Sequence, residues 1–146
     1  MKLKTIALAI VVAGLGLGAV SAADNPAGAA REALMKKIGG SMGALVGIAK
    51  GEKPYDEAVV KASFTTISES IKAFPDQFPA GSDAGTEASP KIWENMDDFK
   101  AKAAKLGADA DAQLAQLPAD QAAVGAAVGM LGKDCGDCHQ SYRIKK

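Results

Sequence analysis

The stretch Ala119-Asp120-Gln121-Ala122-Ala123-Val124-Gly125-Ala126-Ala127-Val128-Gly129-Met130-Leu131-Gly132-Lys133-Asp134-Cys135-Gly136-Asp137-Cys138-His139-Gln140-Ser141-Tyr142 decides how this chain folds. Val124, Val128, Leu131, Cys135, Cys138 and Tyr142 recur at steps of 4, 3, 4, 3 and 4, the spacing that stacks side chains along one face of an α-helix. The pattern predicts a helix over 119–142 with both cysteines on its buried seam. Gly125, Gly129, Gly132 and Gly136 each cost such a helix up to about 1 kcal/mol in propensity. Small residues there serve either close helix packing or room for something large, and the residues alone leave both open.

Three further apolar stripes of the same period lie upstream. Leu34, Ile38, Met42, Leu45 and Ala49 mark a first helix across 27–50, ended by Gly51-Glu52-Lys53-Pro54. Asp56 is a candidate N-cap for a second, carried by Val60, Phe64, Ile67, Ile71 and Phe74 and closed by Pro75. Ser89-Pro90 opens a third, in which Ile92, Met96, Phe99, Ala103, Leu106, Ala110, Leu114 and Leu117 run on to Pro118. Residues 76–89, rich in glycine and small polar side chains, read as one long loop, the kind of segment that often lines sites. Met42, Met96, Met130 and Trp93 read as core. Four amphipathic stretches of about 20 residues, each about 30 Å long, predict an all-α fold, an antiparallel four-helix bundle.

Composition agrees and excludes several functions. The 146 residues suit one domain with a real core, and with 5% aromatic residues and scattered β-branched ones, strands are poorly supplied. Lysine plus arginine equals aspartate plus glutamate at 17 each, so no basic face of the kind that neutralises nucleic-acid phosphates is expected. Residues 1–23 carry Lys2 and Lys4, an apolar run from Ile6 to Val20, and Val20-Ser21-Ala22-Ala23. They read as a secretory signal peptide, because an apolar run of about 15 residues is shorter than the roughly 20 needed to span a bilayer. Removing them takes two lysines and no acid, leaving 15 basic against 17 acidic side chains on a soluble, periplasmic chain of residues 24–146.

Export permits disulfides, yet Cys135 and Cys138 stand at i and i+3, and a bond closing so short a loop would stabilise little. Cys135-Gly136-Asp137-Cys138-His139 is instead a C-x-x-C-H sequence, the signal for covalent attachment of one c-type haem. Side chains at i and i+3 share a helix face, so two thiols can each add to a vinyl group on one porphyrin edge, and the next residue, His139, is held at the iron. Three other readings compete. A thioredoxin-like dithiol is expected near a helix N-terminus in a βαβ setting, whereas this pair lies close to the chain end. A zinc site needs about four ligands, and two cysteines with the only histidine supply three. A plain disulfide leaves His139 unexplained.

The C-x-x-C-H followed by Gln140-Ser141-Tyr142-Arg143 near the end of an exported helical bundle resembles class II cytochromes c, meaning cytochrome c′ and its low-spin cytochrome c-556 relatives. The resemblance extends through Arg31-Glu32-Ala33-Leu34-Met35, the turn from Lys50 to Asp56, the Gly81 to Thr86 loop, and Pro90-Lys91-Ile92-Trp93. It implies a haem bonded to Cys135 and Cys138, His139 as proximal ligand to the iron, and the first helix covering the distal face. Met35 matches the distal position, where the low-spin branch uses a methionine sulfur as sixth ligand. Arg31 matches a residue near a haem propionate, Glu87 one near the haem, and Arg143 a basic residue beside the proximal histidine.

Two functions are therefore expected from the resemblance. One is a one-electron carrier serving periplasmic redox partners, with His139 and Met35 as axial ligands. The alternative is a five-coordinate cytochrome c′ that binds nitric oxide or carbon monoxide. A thiol oxidoreductase working through Cys135 and Cys138 is a third reading, removed by a covalent haem and no free thiols. With one histidine and no Ser-His-Asp or metal-carboxylate constellation, the chain reads as a non-enzyme. The stripes can close within one bundle or leave a ridge for a homodimer, and both states stay open.

Overall fold

A computed structural model of the chain describes residues 25–144; the expected export segment, 1–23, lies outside them. Five α-helices follow in order: α1 (Pro26–Ala49), α2 (Glu57–Ala73), α3 (Lys91–Glu94), α4 (Met96–Ala115) and α5 (Gln121–Tyr142). The long helices α1, α2, α4 and α5 form the antiparallel four-helix bundle, in which α1 packs on α2 and α5, and α4 on α2 and α5.

The ends of these helices follow their residue chemistry. Asn25 Oδ1 accepts from the amide of Gly28, Asp56 Oδ1 from Ala58 and Val59, and Asp120 Oδ1 from Ala123. Each satisfies amide donors that the first helical turn leaves without partners. Gly51, at φ 71°, takes the left-handed turn after α1 that other residues resist.

The third predicted helix is not continuous. The backbone leaves the helical region at Asn95 (φ −134°, ψ 48°), separating the single turn of α3 from α4. The carbonyl of Lys91 accepts from the amide of Asn95 at 3.0 Å and from its side-chain Nδ2 at 3.3 Å, so α3 closes its single turn on Asn95 before α4 begins. The long loop is partly ordered as well. Pro75–Gln77 forms a 3-10 turn, and an isolated antiparallel bridge joins Ala88 to Arg143, with Ser89 N donating to Tyr142 O (3.0 Å) and Ile144 N to Glu87 O (2.8 Å). The end of the loop is thereby stitched to the end of α5.

The predicted stripes meet in one core, where Leu45, Val60, Phe64, Ile67, Ala110, Val124 and Leu131 have no exposed surface. Burying each large aliphatic or aromatic side chain contributes about 1.5–3 kcal/mol. Met130 departs from expectation and is exposed, because the seam of α5 runs through Ala127 and Leu131 and turns the intervening residue outward. At one end of the core Phe74, Phe78, Phe99 and Tyr142 form a run of edge-on contacts, with centroids 5.0, 4.7 and 5.4 Å apart. Trp93 leans on Phe78 and donates its indole N–H to the carbonyls of Phe78 and Pro79.

Candidate functional site

A cavity of about 850 Å³ opens between α1, α4, α5 and the 76–89 loop. This is near the upper end of the roughly 300–1,000 Å³ typical of small-molecule sites. Met35, Arg31, Glu87, Cys135, Cys138 and His139 all border it, drawn from α1, the loop and α5. Its apolar wall includes Phe74, Phe78, Ile92, Phe99 and Leu106. Met42, expected only as core, borders the cavity too, two helical turns after Met35. So does Gly132, where an added Cβ would meet nothing within 4 Å. At that position the glycine leaves space rather than closing a helix contact.

Both cysteines are half-buried and not bonded to one another. Burial pushes the thiol of Cys135 up and that of Cys138 up to about 11. A dithiol catalyst needs the opposite, a thiolate near neutral pH, so the oxidoreductase reading loses its chemistry. Among the described residues no group of three or more His, Cys, Asp and Glu side chains is gathered to hold a bare metal ion. His139 is exposed as a whole residue, but desolvation of its ring at the cavity wall, reinforced by Arg143, pushes its pKa down. That favours the neutral imidazole, the form that offers a lone pair to a metal.

Arg31 is buried on α1 with its guanidinium 4.6 Å above the ring of Phe78. One terminal nitrogen donates to Gln77 O (3.0 Å) and Ser82 Oγ (2.9 Å), the other to Ser82 O (2.5 Å) and Thr86 Oγ1 (3.5 Å). Arg31 thus holds the loop against α1 at the edge of the cavity. Glu87 accepts from Arg143 Nε at 2.6 Å, four residues beyond His139. Tyr142, buried on the same side, donates to Asp98 Oδ2 at 2.6 Å, which pushes its phenol up to about 12. Sequence reading passed over Tyr142 as a ligand-side residue, and over Asp134, which lies three residues after Leu131 on the seam and is buried.

The donor set fits a porphyrin better than any bare ion. Two thiols and an imidazole project from one helix into a large apolar cavity, and thioether sulfurs border it from α1. Fold and site together define a c-type haem protein of the helical-bundle class. The family model for cytochrome c′ matches residues 27–143, and the chain belongs to that family, the class II cytochromes c. It is 64% identical over 146 residues, all of this chain and 99% of the relative, to cytochrome c-556 of Agrobacterium fabrum strain C58. It is 36% identical over 149 residues to cytochrome c′ of Rhodopseudomonas palustris, again with 100% and 99% of the two chains covered. The solved cytochrome c′ of Rhodopseudomonas palustris superposes with a TM-score of 0.77 at 37% identity, over 82% of this chain and 97% of that one. A structural model for the oxidised cytochrome c556 of the same organism gives 0.74 at 34%, over 83% and 98%. Members carry electrons or bind ligands at haem and are not enzymes. No helix among the described residues is long and apolar enough to cross a membrane.

Proposed function

We propose that the chain is exported to the periplasm and works there as a one-electron carrier, its haem bonded to Cys135 and Cys138 with His139 and Met35 as axial ligands. The observation that carries this reading is that Met35 on α1 and His139 on α5 border the same cavity as the two cysteines. The bound iron supplies the one-electron couple. The protein fixes an imidazole and a thioether in both oxidation states, so little rearrangement accompanies transfer, and a thioether ligand raises the potential. Arg31 and Arg143 bring positive charge to the edge of the cavity, where haem propionates are anionic. Glu87 orients Arg143 through their 2.6 Å ion pair. Residues 1–23 act as the signal peptide and 24–146 as the mature haem domain.

Met35→Ala and Met42→Ala, each read by absorption spectra of oxidised and reduced protein, test the ligand assignment. Low-spin iron in the native protein and in Met42→Ala, with high-spin iron in Met35→Ala, is the expected pattern; high-spin iron in native ferrous protein defeats it. The mature mass, reporting cleavage after Ala22 or Ala23 plus one haem, tests export and attachment together. A gas-binding reading is favoured by Gly39, which borders the cavity on the same helix as Met35 and where an added Cβ would meet nothing within 4 Å, leaving room for a diatomic molecule. Rapid carbon monoxide binding to reduced protein supports that alternative, and inert ferrous iron eliminates it.

A further inference from the structure

Asp134 is an unusual residue to find inside a helical bundle. It lies on α5 directly before Cys135, and its side chain is only 4% exposed. One carboxylate oxygen, Oδ1, accepts from Lys105 Nζ of α4 at 2.6 Å, while Oδ2 is buried with no hydrogen-bond partner. Lys105 is 60% exposed and is shared, at 2.7 Å, with Asp109. One cation therefore serves two carboxylates that lie against one another, and it reaches only one oxygen of the buried one. A buried charge with an orphan oxygen costs stability, which an apolar residue at this seam position would not.

A comparison lies three residues along the same helix. Asp137 also carries a negative charge, also bonds a lysine (Lys133, 2.8 Å), and stands between the two cysteines in sequence. Its side chain is 46% exposed and that of Lys133 is 74% exposed. Water screens both members of this second pair, whereas in the first it reaches Lys105 but not the Asp134 carboxylate.

We propose that Asp134 tunes the reduction potential: its buried carboxylate, placed at the Cys135 anchor, favours the oxidised, more positive iron, and Lys105 sets how far. Ferric haem carries one more positive charge than ferrous, so a fixed negative charge near it lowers the potential and a fixed positive one raises it. The argument rests on the proposed haem attachment through Cys135. A unit charge within about 10 Å at an effective dielectric of about 20 changes a one-electron equilibrium by the order of tenfold.

The test measures midpoint potentials of the holoprotein by spectroelectrochemistry at pH 8, with covalent haem checked by mass in every sample. Asp134→Asn raises the potential, shifting electron exchange with a fixed redox partner by the order of tenfold. Lys105→Gln lowers it, and the double variant returns toward the native value. Asp137→Asn shifts the same equilibrium by less than about twofold, because solvent screens it. Thermal melting of the same proteins separates a purely structural role. If Asp134→Asn and Lys105→Gln alter the melting temperature but leave the potential where it was, the inference is overturned. The same holds if Asp137→Asn moves the potential as much as Asp134→Asn. Should Asp134→Asn fail to fold, the direction of the Lys105→Gln shift alone decides. Native protein lacking the haem mass would instead defeat the attachment through Cys135.

Discussion

Replacing Arg31 with methionine should loosen the 76–89 loop and lower the stability of the whole bundle. The guanidinium makes three bonds of 3.0 Å or shorter, to Gln77 O, Ser82 Oγ and Ser82 O, and a longer one to Thr86. Hydrogen bonds to a charged group contribute about 1.5–3 kcal/mol each, so the three short ones sum to about 4.5–9 kcal/mol. The cation over Phe78 adds about 0.5–2 kcal/mol. Against this, methionine fills much of the same volume, and the several kcal/mol spent on desolvating the guanidinium are no longer required. Solvent also reaches half-buried Ser82 and rehydrates it. A net loss of about 2–4 kcal/mol remains, within the range for breaking a buried polar network. For a domain of this size that lowers the melting temperature by about 6–20 °C. Far-UV circular dichroism of the haem-loaded protein reads it, and hydrogen exchange at the amides of Ser82 and Thr86 reports the loop directly. Arg31→Lys retains the charge but not the two-pronged donor, and should lose about half as much. Melting of Arg31→Met within about 2 °C of the native protein, with unchanged loop exchange, would refute the clamp.

Phe99→Ala removes a ring that is 1% exposed and contacts both Phe78 and Tyr142; a loss of about 3–5 kcal/mol in urea unfolding is expected, and under about 1 kcal/mol would contradict the packing. Asp56→Ala leaves the amides of Ala58 and Val59 without their acceptor and should cost about 1 kcal/mol, whereas Asp56→Asn retains most of it. Acid stability carries a signature of Asp111, whose pKa is pushed down by hydrogen bonds from Lys72 and Ser68. A lowered folded value means that its contribution is complete above the ordinary carboxylate pKa of about 3.9 and fades as pH falls through the lower folded value. Asp111→Asn should therefore lose less stability than the native protein between neutral and acid pH, and an identical loss would show that the bonds contribute nothing.

The fold was legible because four stripes of period 3.6 leave few other arrangements. Asp56, Asn25 and Asp120 then fix where three of the helices start, and the cap at Asp56 was readable from its place before an apolar run. Two features escaped. The break is a change of backbone angles at Asn95 alone, whose amide and side chain both donate to the carbonyl of Lys91, and the stripe from Ile92 through Met96 to Phe99 keeps its period across it. Periodicity records which face is apolar and does not register a turn of the backbone at one residue. The stitching of residues 87–89 to the end of α5 is non-local, joining Ala88 to Arg143, and no local signal carries it.

The site divides along the same line. Cys135, Cys138 and His139 announce themselves by spacing, because the chemistry demands thiols one turn apart with an imidazole next to them. Phe74, Phe99, Leu106 and Met42 do not, although they border the same cavity. A stripe residue buries its side chain equally well against a neighbouring helix or against a prosthetic group, so hydropathy cannot tell the two apart. Asp134 marks the other limit. A charge at a seam position, three residues after Leu131, is a visible departure from the pattern, and such departures cost stability unless something else is gained. The structure gives the departure a partner, Lys105, that covers one oxygen and leaves the other bare. Polar residues on an apolar stripe are thus where reading a bundle sequence should pause, since packing alone would have removed them.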